Sequence, residues 1–318
     1  MNILERVKAE DIVFLDIETV SLVKELEKDT PLYAAWEYKA RYQNELNRKT
    51  GLVFTVEEYF KEKAALYAPF AKVVCITVGR IVNNSTIVLK SYYGDDEKEL
   101  LSNFNNDLTI VLSKNPNTTL CGVNNIGFDE PFLFKRLIIN GIRPMKLLDS
   151  SDKKPWEVKS LDLSKAFQGS SFYPDSLVAI ATALGLPSPK DGIDGSMVTQ
   201  VYYDGGLESI VHYCERDVAT TANVFRKFRF EEEITDIEVK VIKEPEAPAP
   251  FLQRLYIDKR LTDEVKAELQ SMLVDKDITD FDRENLIDII LSVYIDKKDK
   301  VGDKKVKRQE VEEFIKSL

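Results

Sequence analysis

Histidine and cysteine are scarce in this chain, with one of the former and three of the latter among 318 residues. The usual zinc ligand sets need several imidazoles or thiolates at close spacing, so they are excluded, and any metal has to be held by oxygen. Cys75, Cys121 and Cys214 are odd in number and widely spaced, which reads as reduced thiols rather than a disulfide framework. Glycine and proline are also few, 13 and 12, so the chain is neither collagen-like nor broadly low in complexity. No apolar run reaches the roughly 18 residues that a membrane-spanning helix requires. The charged start MNILERVKAEDIVF lacks the apolar stretch of a secretion signal. These absences predict a cytoplasmic protein with no membrane partner. Positive charge is in deficit too: 44 Lys and Arg against 54 Asp and Glu give a formal net charge of -10. That excludes a generic, charge-driven nucleic-acid coat, although divalent metal and a local basic track can still let an acidic enzyme handle phosphates.

What the chain does contain suits a globular protein. Hydrophobic residues make up 44% and charged residues 31%, enough for a sizeable core, and the length predicts one large domain plus a small one. DIVFLDIETV (11–20) is a β-branched run suited to a buried strand. A polar, helix-rich stretch follows, so 21–70 reads as an insertion before the next strand, AKVVCITVGRIV (71–82). STIVLKSYY (85–93) completes a hairpin, and acidic residues open a helix over 95–114. TTLCGVN (118–124) is a further strand, leading into a helix with Pro131 in its first turn and Gly141 past its end. SLVAIATALGLP predicts a short helix, and 207–228 a long one. The prolines of VIKEPEAPAP make 236–250 a linker between a domain spanning 1–235 and a small helical unit at 251–318. This order is α/β, a mixed sheet covered by helices, as in the ribonuclease H-like fold.

Three segments carry the chemistry. Asp16 and Glu18 lie two apart in a strand, so both carboxylates face the same side. Alone this is weak, because 54 acids in 318 residues produce about nine acid-x-acid triplets by chance. The setting strengthens it: the acids interrupt a buried strand, where unpaired charge is costly without a cation. Asp129 sits at a strand-to-helix turn, where an ordinary N-cap aspartate is the alternative. Tyr213 and Asp217 are four apart on a predicted helix and share a face, although for the segment alone a core tyrosine beside a surface aspartate is the commoner arrangement.

Taken together, FLDIETV, N-x3-F-D (Asn124 to Asp129) and Y-x3-D (Tyr213 to Asp217) resemble the three motifs of the DEDD 3′-5′ exonucleases, in the tyrosine-bearing (DEDDy) branch. The wording is similar to the proofreading domains of family B DNA polymerases. LGLPSPKDGIDGSMV followed by YCERDVATTANVFRKF resembles stand-alone bacterial exonucleases predicted from those domains. The resemblance spans about residues 10–230, leaving no room for a polymerase and not reaching the C-terminal 70 or so. His212 also fits the H-x4-D pattern of the histidine branch. Inside a helix, however, i and i+5 diverge by roughly 140° whereas i and i+4 share a face, which favours Tyr213.

The resemblance implies that Asp16, Glu18, Asp129 and Asp217 hold two Mg²⁺ or Mn²⁺ ions, that Tyr213 orients the attacking water, and that Thr19, Asn124 and Phe128 contact the substrate. It implies removal of nucleoside 5′-monophosphates from single-stranded or frayed DNA 3′ ends, as in DNA repair. RNA as the substrate and a non-catalytic nucleic-acid-binding module on the same fold are the alternatives. Within 21–70, Tyr33, Trp36, Tyr38, Tyr42, Tyr59 and Phe60 lie among Lys39, Arg41, Arg48 and Lys49. Packing of a helical hairpin is the expectation there, and stacking on a single strand the alternative. The tract KKDKVGDKKVKR (297–308) reads as a solvated loop rather than a nucleic-acid patch, because aspartates interleave its lysines.

Overall fold

The computed structural model describes residues 7–47, 51, 53–153, 157–189 and 192–240. The chain divides into two compact units, Met1–Ile242 and Lys243–Leu318, and the fold described is that of the first. The helical unit expected at 251–318, with its tract at 297–308, lies outside the described residues, as do Arg48 and Lys49. Among the described residues no helix is long and apolar enough to cross a membrane.

The elements run β1 (Ile12–Ser21), α1 (Pro31–Leu46), α2 (Val56–Lys63), β2 (Ala71–Ile81), β3 (Thr86–Tyr93), α3 (Glu97–Lys114), β4 (Thr119–Gly122), α4 (Asp129–Ile139), β5 (Leu161–Asp162), α5 (Leu163–Gln168), α6 (Leu177–Ala183), α7 (Val198–Tyr203), α8 (Leu207–Phe228) and β6 (Asp236–Lys240). One six-stranded sheet has the order β5-β4-β1-β2-β3-β6. Strands β1, β2 and β3 form an antiparallel meander, and β4 and β5 add in parallel beyond β1. This mixed sheet with helices on both faces is the expected ribonuclease H-like architecture. Strand β6 is a correction: 236–240 falls inside the span that composition assigns to the linker, yet it pairs in parallel with β3. An open sheet edge carries unpaired backbone groups, and β6 satisfies those of β3 even though all of its own side chains are exposed.

Strand β1 runs through the middle of the sheet and is buried on both faces. Val13, Leu15 and Ile17 pack with Leu101, Phe104, Leu133 and Leu137 from α3 and α4. Ile12 and Phe14 face the other way, against α8, where the Phe14 and Phe225 rings meet edge to face at 5.6 Å. Helix α8 presses close to the sheet because β2 has Gly79 there; a Cβ at that position would lie 2.8 Å from a Val218 methyl. That proximity sets the height of Asp217 above β1.

The insertion is a helical hairpin with its own core. Thr30 caps α1 and Pro31 occupies its first turn, while Thr55 and Glu58 form a capping box on α2. Trp36 is fully buried, stacks on Tyr59 at 5.1 Å, meets Phe60 and Phe70 edge to face, and donates from Nε1 to the Val56 carbonyl at 3.1 Å. Trp36, Tyr59 and Phe60 are therefore packing residues and unavailable for stacking on a strand. Tyr38 and Tyr42 are exposed. Tyr33 donates to Glu57, Lys39 lies 3.6 Å from the centre of the Tyr67 ring, and Arg41 pairs with Glu37.

One buried ion pair ties α4 to the rest. The Arg136 guanidinium donates to both Glu97 carboxylate oxygens on α3 and to the Ala68 carbonyl, and Glu97 also accepts from the Val73 N–H of β2. Arg136→Ala leaves a buried carboxylate without its counter-charge, so it is expected to lower stability by about 3–5 kcal/mol. A urea midpoint shifted by much less would mean that water or a rearranged neighbour satisfies Glu97.

Candidate active site

The apolar face of β1 that begins with Ile12 and Phe14 continues as Asp16 and Glu18. Pairing with β2 places Asp16 opposite Thr77 and Glu18 opposite Cys75, with the register shifting just after Glu18. Alternation along the strand thus delivers both carboxylates to the side covered by α8. On α8 the buried stripe includes Ile210, Tyr213, Cys214, Asp217, Val218, Thr221 and Phe225, the three-and-four spacing of one helix face. The Cys214 thiol donates to Asp16, 3.4 Å from Oδ2, and the ligand atoms of Asp16, Glu18 and Cys214 lie within 4.8 Å of one another. Asp129 begins α4 and caps nothing; its Oδ1 accepts the Ile17 N–H of β1 at 3.1 Å. One helix from each side of the sheet therefore brings an aspartate to the two acids of the central strand.

These groups repel one another in a poorly hydrated place. Burial raises the pKa of Asp16 well above the usual carboxylate range, and the charges of Asp129 and Asp217 raise it further. Glu18 is raised in the same way, by burial and then by Asp16 and Asp217. Burial also pushes Asp129 up to about 7, against the lowering effect of the backbone N–H groups of Asp129 and Ile17. Tyr213 donates its hydroxyl hydrogen bond to Asp217, and burial together with Asp217, Glu18 and Asp16 holds its pKa far above the ordinary phenol value. His212, by contrast, points outward with its side chain 71% exposed and its Nδ1 3.2 Å from Glu215. The helix has begun five residues earlier, at Leu207, so Tyr213 and not His212 shares the face of Asp217.

Asp16 and Asp217 open onto a cleft of about 410 Å³, also lined by Asn124, Ser164 and the segment 174–177. Asn124 adopts a left-handed backbone (φ 63°), and its N–H is held at 2.9 Å by Asp162 Oδ1. The same oxygen accepts the Ser164 and Lys165 N–H groups, capping α5. Asp162 thus joins the two walls of the cleft. Thr19 and Phe128 are engaged elsewhere: Thr19 Oγ1 donates to the Ala65 carbonyl at 2.8 Å, and the Phe128 ring packs on Phe132 at 5.3 Å. Sequence reasoning does not find Asp162, Ser164 or 174–177, although Asp162 before α5 and Ser176 before α6 are recognisable helix caps. It also passes over Cys214, which sits between Tyr213 and Asp217.

Residues 64–244 match the family model described as a predicted 3′-5′ exonuclease related to the exonuclease domain of PolB. The chain belongs to that family. Asp129, Tyr213 and Asp217 lie within the matched span, and Asp16 and Glu18 precede it. Among solved structures, the family B DNA polymerase from the hyperthermophilic archaeon Pyrobaculum calidifontis is similar at 14% identity and a TM-score of 0.45. That match covers 69% of this chain and 24% of the polymerase. No curated protein sequence matches.

The raised carboxyl pKa values have a measurable consequence. A carboxyl whose folded pKa lies above its unfolded one binds more protons in the native state, so stability falls as pH rises between the two values. For the metal-free protein that window runs from about pH 4, the unfolded carboxyl value, to about pH 7, the Asp129 value. Across it the melting temperature in EDTA is expected to fall with rising pH, and Mg²⁺ should restore more stability at pH 7 than at pH 5. A melting temperature that responds equally to Mg²⁺ at both pH values would show that the metal binds away from these acids.

Proposed function

We propose that this protein is a two-metal-ion 3′-5′ exonuclease of the tyrosine type, releasing nucleoside 5′-monophosphates from single-stranded DNA ends. The observation that carries the reading is the mutual repulsion of Asp16, Glu18, Asp129 and Asp217 beside Tyr213, with Asp16 and Asp217 opening onto a cleft. The donor set fits hard divalent ions: all four ligands are carboxylates, and the neighbouring charges that most raise Asp16 and Glu18 are other carboxylates. Two Mg²⁺ or Mn²⁺ ions held there supply Lewis acidity to the attacking water and charge neutralisation at the scissile phosphate.

The chain's own residues do the positioning. Asp16 and Glu18 are fixed by the strand pairing of β1, and Asp129 is aimed by the Ile17 N–H. Tyr213 remains a phenol at neutral pH with its proton held by Asp217, so it orients the water by accepting a hydrogen bond on its hydroxyl oxygen and does not act as a base. Asn124, whose backbone N–H is held by Asp162, lines the cleft that receives the strand end.

Incubating the protein with 5′-labelled DNA and RNA oligonucleotides in Mg²⁺, Mn²⁺ or EDTA tests the reading. The expected result is a metal-dependent ladder of shortening labelled DNA fragments. Early release of labelled mononucleotide would reverse the polarity, preference for the RNA would change the substrate, and binding without cleavage in every metal would leave a non-catalytic module.

A further inference from the structure

Two aromatic side chains stand in solvent immediately before a segment that lines the cleft. Phe172 is 92% exposed and Tyr173 83%, and the next four residues, Pro174 to Leu177, line the cleft with Asp16 and Asp217. Backbone geometry puts the Phe172 Cα at most about 7 Å from that of Pro174. The segment carrying them is tied down locally. The Ser171 N–H donates to the Gln168 carbonyl, the Tyr173 N–H donates to Ser171 Oγ, and Ser164 Oγ, itself in the cleft, donates to the Asp175 carbonyl at 2.9 Å. Neither aromatic is found in the ring contacts that fix Phe167 against Phe228 or Trp36 against Tyr59. Adjacent, almost fully exposed aromatic rings on an anchored segment are costly to leave in water unless something covers them.

We infer that Phe172 and Tyr173 form a stacking platform for nucleobases of a single strand whose 3′ end lies at the carboxylates. The inference rests on the exonuclease reading for the identity of the occupant. Charge favours nucleobases as what the rings grip. A chain of net charge -10 is not a generic, charge-driven binder of DNA, so contacts that do not depend on phosphate charge add affinity beyond what a local basic track supplies. Stacking on exposed rings is such a contact, and every base has a face to offer. A strand seated with its terminal phosphodiester at Asp16 and Asp217 has to leave the cleft past its lining, and Phe172 and Tyr173 directly precede the lining segment Pro174 to Leu177.

The test compares wild type with Phe172→Ala/Tyr173→Ala in EDTA, by fluorescence anisotropy of a labelled single-stranded DNA oligonucleotide. Each lost stack weakens binding by about fivefold or more, so the double variant is expected to bind about 25-fold more weakly or worse. The same oligonucleotide carrying abasic residues near its 3′ end should bind both proteins equally, and Phe172→Trp should retain affinity for the base-bearing strand. Turnover of the p-nitrophenyl ester of thymidine 5′-monophosphate, which has a scissile phosphodiester but no neighbouring nucleoside, should be unchanged in the double variant. Equal binding of the base-bearing strand by both proteins would overturn the platform, as would an equal loss on the abasic strand or no DNA binding by wild type. A wild type that binds through these rings yet hydrolyses nothing in Mg²⁺ or Mn²⁺ would overturn the exonuclease reading and leave the platform standing.

Discussion

Asp16→Ala and Asp217→Ala are each expected to leave a 5′-labelled oligonucleotide at full length under conditions in which the wild-type protein shortens it, a loss of about three orders of magnitude or more. On the proposed two-metal reading each removes a hard ligand whose charge neutralisation is worth several kcal/mol in the transition state, and every 1.36 kcal/mol is about tenfold in rate. The same substitutions should not unfold the protein. Burial and the charges of Asp129 and Asp217 already hold the Asp16 carboxyl up, so deleting it relieves repulsion in the metal-free state. The melting temperature of Asp16→Ala in EDTA at pH 7 is therefore expected to equal or exceed that of wild type. Its response to Mg²⁺ should shrink. An Asp16→Ala preparation that is free of contaminating nuclease and fully active would remove Asp16 from the site.

Tyr213→Phe carries the second largest effect. The ring that packs with Val198, Ile210 and Cys214 stays, and only the hydroxyl held by Asp217 goes. Loss of a group that positions the reacting water is expected to lower turnover by about 10² to 10⁴-fold. His212→Ala should change the rate little, because that imidazole is exposed, with its Nδ1 3.2 Å from Glu215. Single-turnover rates of the two variants separate the candidates directly. A nearly dead His212→Ala beside a nearly normal Tyr213→Phe would mean that the start of α8 rearranges when substrate binds and that the imidazole enters the site.

The strands and helices bearing these residues were legible because their signals are local. FLDIETV alternates with period two, so Asp16 and Glu18 had to share a face of β1 once that run became a strand. The 3.6-residue period of LESIVHYCERDV put Tyr213 with Asp217 and turned His212 away, and the structure has the helix already running at that point. Pro131 and Gly141 bracketed α4 as helix punctuation does. Strand β6 was not legible in the same way. Its five residues are all exposed, and only the open edge of β3, 150 residues earlier in the chain, makes a strand of them.

The four carboxylates and the tyrosine were named by the resemblance that three motifs carry in order, since each motif alone is a short local pattern with an ordinary structural alternative. Whether those groups meet, and in what environment, depends on partners far away in sequence. The Cys214 thiol reaches Asp16 across 198 residues, and the Ile17 N–H reaches Asp129 across 112. The raised carboxyl pKa values arise from burial and mutual repulsion, which no linear pattern records. The aromatics show the same dependence: packing took Trp36, Tyr59 and Phe60 of the insertion into a core, while Phe172 and Tyr173, far outside it and without any sequence signal, are left exposed just before the segment that lines the cleft. Hydrogen bonds, desolvation and charge act through space over a few ångströms, so only the folded chain decides which side chains feel them.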